Sequence, residues 1–440
     1  MHVQNKLQSR HRHQDTTGKE FDLASEGAVK PGKYPSYVSI LKDTPFGKIW
    51  AGLVVSFSGD YVFDVALTWL VWSSTKSPLY IGLIQACVLA PNAFAGPLFG
   101  RFVDVSSKKG VMIVAAIMEA ALVGSLALQI SVYPLSGGEQ IAVIAGVVFT
   151  LGVFARIYSL AYFSSLPLFL KGGALMRANA LSNMAEQANS LVTYSAAGVI
   201  VLLLGITVSI SYDALTFVFV AFMIFLVQST VLEASQESVR SRPTLEGFRV
   251  VAKNGVVMQL VMIWTLLGFL GQFFGVIVVV RLLSTIFSPV IIGAFLASLA
   301  LGGISGALFI GHFGSRFKPQ STVSIGIVMM GLSTLVIAFT QNVPFILASA
   351  ALFGIAMTSV NVPIETLLQT HIPVGSIATV MGAAGLFMST ATPVGALAGG
   401  FALSFVSSKW LLLIASMAFV ITGLAISRSK MLRAAALENG

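Results

Sequence analysis

Charge is scarce in this 440-residue chain: Asp, Glu, Lys and Arg together make up 10% of it. A soluble protein of this size needs charge and polarity over its exterior, whereas a protein whose exterior is lipid does not. Cysteine is nearly absent, and the single Cys87 excludes both an intramolecular disulfide framework and a cysteine-rich metal site within one chain. There are five histidines, none deep in an apolar stretch, and there is no Walker-type glycine loop. No catalytic residues, cofactor or metal are therefore expected, and an enzyme is not. The first 45 residues also lack the apolar core of a cleavable signal peptide, so the first membrane helix is expected to direct insertion. In that tail, the run Arg10, His11, Arg12, His13 has no further ligands beside it and reads as disordered chain rather than a metal or nucleic-acid site.

Apolar residues are abundant. They make up 56% of the chain, and the mean hydropathy is +0.89. A spanning helix needs roughly 20 apolar residues, since about 30 Å of hydrocarbon is crossed at about 1.5 Å per residue. That rule places twelve spans, at 47–73, 79–103, 109–131, 140–163, 177–203, 206–231, 256–283, 289–312, 320–340, 343–369, 376–404 and 409–427. The fold expected is an all-α membrane protein with twelve transmembrane helices in two pseudo-symmetric six-helix bundles. Its divisions are a cytoplasmic tail at 1–45, a bundle at 46–231, a cytoplasmic linker at 232–255, a second bundle at 256–427 and a tail at 428–440. The linker mixes Glu233, Glu237 and Glu246 with Arg240, Arg242, Arg249 and Lys253 and reads as amphipathic.

The formal charge of +9 does not point to nucleic acid, because the basic residues sit between apolar segments and in a tail. Basic residues in short loops are retained in the cytoplasm. With the N-terminus inside, nearly all of the 26 fall on that side, including Arg101, Lys108, Lys109, Lys171, Arg177, Arg316, Lys318 and Arg428. Only Lys76, Arg281 and Lys409 lie opposite, and Arg156 falls inside a span. Both termini are thus expected in the cytoplasm of a multi-pass inner-membrane protein, a monomer whose partners are membrane lipids, protons and a small-molecule substrate.

Gly100-Arg-Phe-Val-Asp104 with Lys108 and Lys109 follows the second span, and Gly311-His-Phe-Gly-Ser-Arg316 with Lys318 follows the eighth. At nearly the same offset, Gly59-Asp60-Tyr61 in the first span matches Gly271-Gln272-Phe273 in the seventh. Two matching loops and two matching helices imply a duplicated six-helix unit, with substrate at the interface between halves. The Gly-x-x-x-Asp-x-x-x-Lys-Lys loop resembles the signature loop of the major facilitator superfamily. Ser58-Gly59-Asp60, Ser77-Pro78-Leu79 with Gly82, Arg177-Ala-Asn-Ala-Leu181, Asp213-Ala-Leu-Thr-Phe217, Glu246-Gly-Phe248 and Pro393-Val-Gly395 resemble one branch, the drug:proton antiporters that include macrolide, multidrug and siderophore exporters. The resemblance runs across 47–427. It implies that the glycine of the loop permits close helix packing and that Asp104 caps a helix of the other half, so Gly100, Asp104, Lys108, Lys109, Gly311 and Arg316 form a conformational latch. There are two departures. Val105 stands where the family has arginine, and Thr193-Tyr194 stands where exporters have a Gly-Pro pair, with Gly198 kept.

Ionisable groups at mid-membrane cost several kcal/mol, about 3 on insertion scales, and are functional candidates by default. Asp60 and Asp64 lie at i and i+4, one turn apart on one helix face. Two carboxylates that close in a low dielectric do not both ionise cheaply, which suits a proton-coupling site. Arg156 lies at a similar depth in the fourth span and needs an anionic partner or a polar cavity, so an Asp60–Arg156 pair is expected, either switching or fixed. Glu119 is a further proton or cation candidate, while Glu186 and Glu365 suit gating ion pairs nearer the cytoplasm. For substrate, Trp264, Phe269, Gln272 and Phe273, with Gln85 and Asn92, offer an aromatic surface with a few polar points, suited to an amphipathic or cationic organic ligand. Gly96 with Gly100, Gly271 with Gly275 and Gly395 with Gly399 suggest close helix crossings, and Pro91, Pro97, Pro363 and Pro393 suggest bends.

The function expected is proton-coupled efflux of small amphipathic molecules by alternating access. A lysophospholipid, siderophore or metal-ion transporter of the same fold stays open, and Thr193-Tyr194 leaves a uniporter or importer open as well. A receptor or scaffold is the alternative from another class.

Overall fold

The computed structural model describes residues 37–132, 137–170, 173–228, 244–372 and 377–429. Among these every regular element is helical. The first half comprises α1 (Tyr37–Asp43), α2 (Phe46–Thr75), α3 (Pro78–Leu89), α4 (Pro91–Val105), α5 (Lys108–Val132), α6 (Gly137–Phe169), α7 (Gly173–Leu204) and α8 (Ile206–Phe225). The second half comprises α9 (Thr244–Lys253), α10 (Gly255–Thr285), α11 (Pro289–Phe313), α12 (Pro319–Phe339), α13 (Val343–His371), α14 (Ile377–Ala402) and α15 (Ser408–Arg428). Twelve spans are long and apolar enough to cross a membrane, with α3 and α4 forming one of them.

Local chemistry sets the breaks. Pro78, Pro289 and Pro319 open helices, where a missing N–H costs nothing. The Asn254 side chain accepts from the Val256 and Val257 N–H groups at 3.1 and 3.2 Å and starts α10. Gly205, at φ +83°, turns the chain between α7 and α8 in a conformation that side-chain-bearing residues rarely adopt. Pro91 divides the second span as the sequence suggests, whereas Pro97, Pro363 and Pro393 sit inside continuous helices.

The span limits agree with the sequence reading to within a few residues, except that 140–163 runs on as helix to Phe169 and 206–231 ends as helix at Phe225. The tail reading needs one correction, because 37–43 is the helix α1, with Ile40 fully buried and the Tyr37 ring beneath the Arg177 guanidinium. The run at 10–13, Lys171, and the linker residues Glu233, Glu237, Arg240 and Arg242 lie outside the described residues. What is described of the linker, α9, buries Val251 and sets Phe248 edge-on to Phe387, with Arg249 and Lys253 outward.

The first half is packed around two separate apolar clusters. One, near the face that carries residues 37 and 429, includes Phe46, Met112, Ala116 and Ile224; the other, toward the opposite face, includes Val65, Leu70, Val123 and Ile210. The second half has one continuous cluster from Val251 to Ile426. The halves meet toward the face opposite the chain ends. There Gly82 on α3 lies against Gly400 on α14, and a Cβ on Gly198 of α7 would stand 2.5 Å from the Val290 Cα on α11. Val276, Val280 and Ile292 of the second half extend the far cluster of the first. At the face bearing the chain ends, Arg101, Phe102, Asp104 and Val105 are exposed, and a Cβ on Gly96, Gly100 or Gly311 would meet nothing of another helix within 4 Å. Close crossings therefore occur at only one of the three glycine pairs singled out above. Gly395 and Gly399 receive the Phe269 and Phe273 backbone, Gly271 and Gly275 border a cavity, and Gly96 and Gly100 are open.

Candidate functional site

Between the two apolar clusters of the first half lies a cavity of about 1290 Å³. Asp60 and Asp64 of α2 line it half-buried, and Glu119 of α5, 3% exposed, joins them. Asn92 of α4, Glu186 of α7 and, from the other half, Glu365 of α13 add to its polar lining, as do Asn179 and Asn183 of α7 and several hydroxyls, and among the described residues that lining contains no Lys, Arg or His. The charges that act on Asp60 are those of Asp64 and Glu186, and Asp60 in turn acts on Glu119. These are acids facing acids, an arrangement suited to binding protons or a cation.

One acid that sequence reasoning passed over belongs to this layer. Asp213 of α8 is 1% exposed, its Oδ1 lies 3.4 Å from the donating Thr216 hydroxyl, and its Oδ2 is buried without a hydrogen-bond partner. Asp60, Glu119 and Asp64 all act on it electrostatically. It comes this close because Gly59 has no side chain: a Cβ there would collide with Asp213 and Thr216. The sequence signal was present, since Asp213 is an acid within a span, but it was read only as part of a motif.

Arg156 does not answer these acids. It lines neither cavity described here, its Nε is buried without a hydrogen-bond partner, and it is not among the charges acting on Asp60, Asp64 or Glu119. The expected Asp60–Arg156 pair is not formed in this conformer. Instead Asp64 is held by Tyr194 of α7, whose hydroxyl donates to Oδ2 at 2.9 Å. The Tyr194 ring packs on Tyr61 at 4.6 Å between centroids. The adjoining Thr193 hydroxyl donates to the Asn189 side-chain oxygen at 2.5 Å, and Asn189 donates to the Val54 carbonyl at 2.6 Å. The departure from the exporter pattern thus fastens α7 to α2.

A second cavity of about 590 Å³ lies mainly in the other half. Trp264 and Gln272 of α10 and Gln85 of α3 line it, with Gln187, Phe295 and Asn361, and Tyr194 borders it too. Its character is aromatic and apolar, with amides and a few hydroxyls as the polar points. Phe269 and Phe273 line neither cavity; they stack on each other at 6.1 Å, with their backbone against α14. The proposed ligand residues are therefore divided, with Asn92 among the acids, Gln85, Trp264 and Gln272 in the amide cavity, and the two phenylalanines in packing.

Among the described residues, the hydrogen bonds of the latch lysines lie within their own half. Lys108 Nζ donates to the Val103 and Asp104 carbonyls, and Lys109 Nζ donates to those of Phe225 and Val227. Lys48 adds a bond to the Leu226 carbonyl at 2.8 Å. These cations neutralise helix C-termini of their own half, where the macrodipole is negative. Arg316 is exposed, over the Phe313 ring.

Residues 36–439 match the family described as transmembrane secretion effector. The chain is 23% identical over 358 residues to macrolide efflux protein A of Streptococcus pyogenes, covering 80% of this chain and 87% of that protein. It is 24% identical over 360 residues to the multidrug efflux pump Tap of Mycobacterium tuberculosis (strain ATCC 25618 / H37Rv), covering 79% and 84%. A crystal structure of a bacterial homologue of the iron transporter ferroportin in an inward-facing state is similar in fold, with a TM-score of 0.69 at 14% identity, covering 88% of this chain and 99% of that one.

Proposed function

This chain belongs to the transmembrane secretion effector family, as a multi-pass transporter of the major facilitator type and not an enzyme, and from that premise we propose that it exports small amphipathic organic molecules in exchange for protons. The observation that carries the reading is the pair of unlike cavities. An acid layer lined by no basic residue among those described lies in the first half, an apolar amide-bearing cavity lies mainly in the second, and one side chain, Tyr194, borders the second while bonding to an acid of the first. Carboxylates at mid-membrane take up and release protons, an aromatic cavity takes up organic solute, and an ion gradient supplies the work where no nucleotide loop exists.

In this reading the chain ends face the cytoplasm of a bacterial-type inner membrane, following the distribution of Lys and Arg. The conformer with its halves apart at that face is then inward-open, and the Gly82–Gly400 and Gly198–Val290 contacts close the external side. Export follows when the halves rock about these contacts. A reporter fused after Gly440 is expected to read cytoplasmic and one inserted at Gly138 external; the reverse pattern overturns the orientation.

The test of function is transport by purified protein in proteoliposomes with an imposed pH gradient, against a macrolide, a cationic dye, a siderophore, a lysophospholipid and ferrous iron. Accumulation of an organic compound that collapses with a protonophore is the expected result. Transport indifferent to the gradient, or confined to iron, overturns the proposal.

A further inference from the structure

We infer that Tyr194 ties the protonation of Asp64 to the opening of the seam between α7 and α11, so that the empty carrier with Asp64 ionised is held shut on the external side and protonation releases it. The inference rests on the proton-coupled reading for its consequence in transport, though not for the contacts that carry it.

Those contacts involve one turn of helix. The Tyr194 side chain reaches α2, where its hydroxyl donates to Asp64 Oδ2 at 2.9 Å. Its backbone faces the other half, since the carbonyl lies 2.5 Å from where a Cβ would stand on Gly293 of α11. One turn on, Gly198 admits the Pro289 carbonyl and the Val290 Cα to the same seam. Tyr194 also borders the amide cavity, so it touches the acid layer, the closing seam and the ligand space together. No other residue of the described chain is recorded in all three places.

A hydroxyl bound to an ionised carboxylate forms a charge-assisted hydrogen bond, roughly twice as strong as one to a neutral acid. Ionised Asp64 therefore draws α7 toward α2 in the pose that packs against α11, and protonated Asp64 does so less. Any state difference of this kind shifts the open and closed populations by the same factor as it shifts proton affinity. An antiporter slips when its empty, deprotonated form can cross, and this bond opposes that crossing. Other titratable groups lie around Asp64 on its neighbours: Asp60 and Tyr61 on α2, Glu119 on α5, Tyr158 and Tyr162 on α6, Glu186 on α7, Asp213 on α8 and Glu365 on α13. The helices α3 and α11 carry no Asp, Glu, Lys or Arg. The test must therefore isolate one hydroxyl rather than follow pH alone.

Spin labels at Ser74→Cys and Ser407→Cys, both exposed at the external ends of opposite halves, report the seam in full-length protein carrying Cys87→Ser in lipid nanodiscs. In the otherwise unaltered protein the open population is expected to rise as pH falls. Tyr194→Phe keeps the ring and the seam backbone but removes the donor, so it should hold the open population high at every pH, raised about tenfold at alkaline pH. Asp64→Asn should do the same, and the double variant should add nothing further. A Tyr194→Phe protein with the unaltered pH response, or one displaced equally at all pH values, overturns the inference. A protein that keeps the tyrosine-dependent response but transports without regard to a proton gradient refutes coupled export and leaves this inference standing. A gradient-driven transporter whose seam ignores Tyr194→Phe refutes this inference and leaves export standing.

Discussion

The two halves are built on one repeat yet differ at its centre. In the first half Gly59, beside Asp60, packs against Asp213 and Thr216, and the apolar core is split there by a layer of carboxylates. In the second, Gly271-Gln272 opens on a cavity, a Cβ on Gly271 would meet nothing within 4 Å, and the core runs unbroken from Val251 to Ile426. One bundle carries buried groups that can titrate, and the other offers an amide that cannot. A duplicated unit can thus divide the labour of an exchanger, with coupling chemistry in one copy and ligand contact in the other, because the interface between them is shared.

The largest effect is expected where that division is removed. Asp60→Asn mimics a permanently protonated carrier, so gradient-driven accumulation should fall about a hundredfold or to background, while ligand binding and gradient-free exchange survive. Gln272→Ala should do the opposite, weakening ligand binding while whatever transport remains still follows the gradient. Both assays on the same purified proteins decide the matter. Full proton-driven accumulation in Asp60→Asn would take Asp60 out of the mechanism and move attention to Asp64 and Glu119.

A stability comparison at the two glycines sharpens the contrast. A methyl group at Gly59 collides with buried side chains of α8, so Gly59→Ala should destabilise the first half by about 1–3 kcal/mol, as overpacking does. The equivalent Gly271→Ala has room and gains helix propensity, up to about 1 kcal/mol, so its melting temperature should hold or rise. Thermal melts in one detergent give both values, and equal losses would remove the packing difference from the argument.

The spans were legible in the sequence because hydrocarbon thickness sets a length that hydropathy reports directly. Asp60, Asp64 and Glu119 were legible because a carboxylate in an apolar run is costly wherever it points. What sequence could not supply was azimuth and long-range pairing. Trp264, Gly268, Gly271, Gln272 and Gly275 recur at helical spacing and border the cavity, while Phe269 and Phe273, each one residue further and so about 100° around, pack on α14 instead. Arg156 has the expected depth but not the expected partner. The Tyr194–Asp64 bond joins residues 130 apart, and no local pattern announces it. Thr193-Tyr194 was visible only as a departure, without its physical role.

The smallest expected effect tests whether the asymmetry extends to the loops. Asp104 is exposed in this conformer, and its half is parted from the other at that face, so the latch, if it forms, forms only when the halves close there. A carboxylate at a helix N-terminus contributes about 0.3–2 kcal/mol, and a bond made in one state alone shifts the balance of states by that amount. Asp104→Asn is therefore expected to move the population further toward the conformer seen here and to slow turnover severalfold, with expression and ligand binding near normal. The corresponding residue of the second repeat is Ser315, which has no charge to offer a helix end, so Ser315→Ala should be silent in the same assays. Distances between spin labels on the chain-end face of the two halves, measured beside transport rates, read both variants. If the asparagine and alanine variants behave alike, the loops are symmetric in function, and the asymmetry of the molecule is confined to its membrane interior.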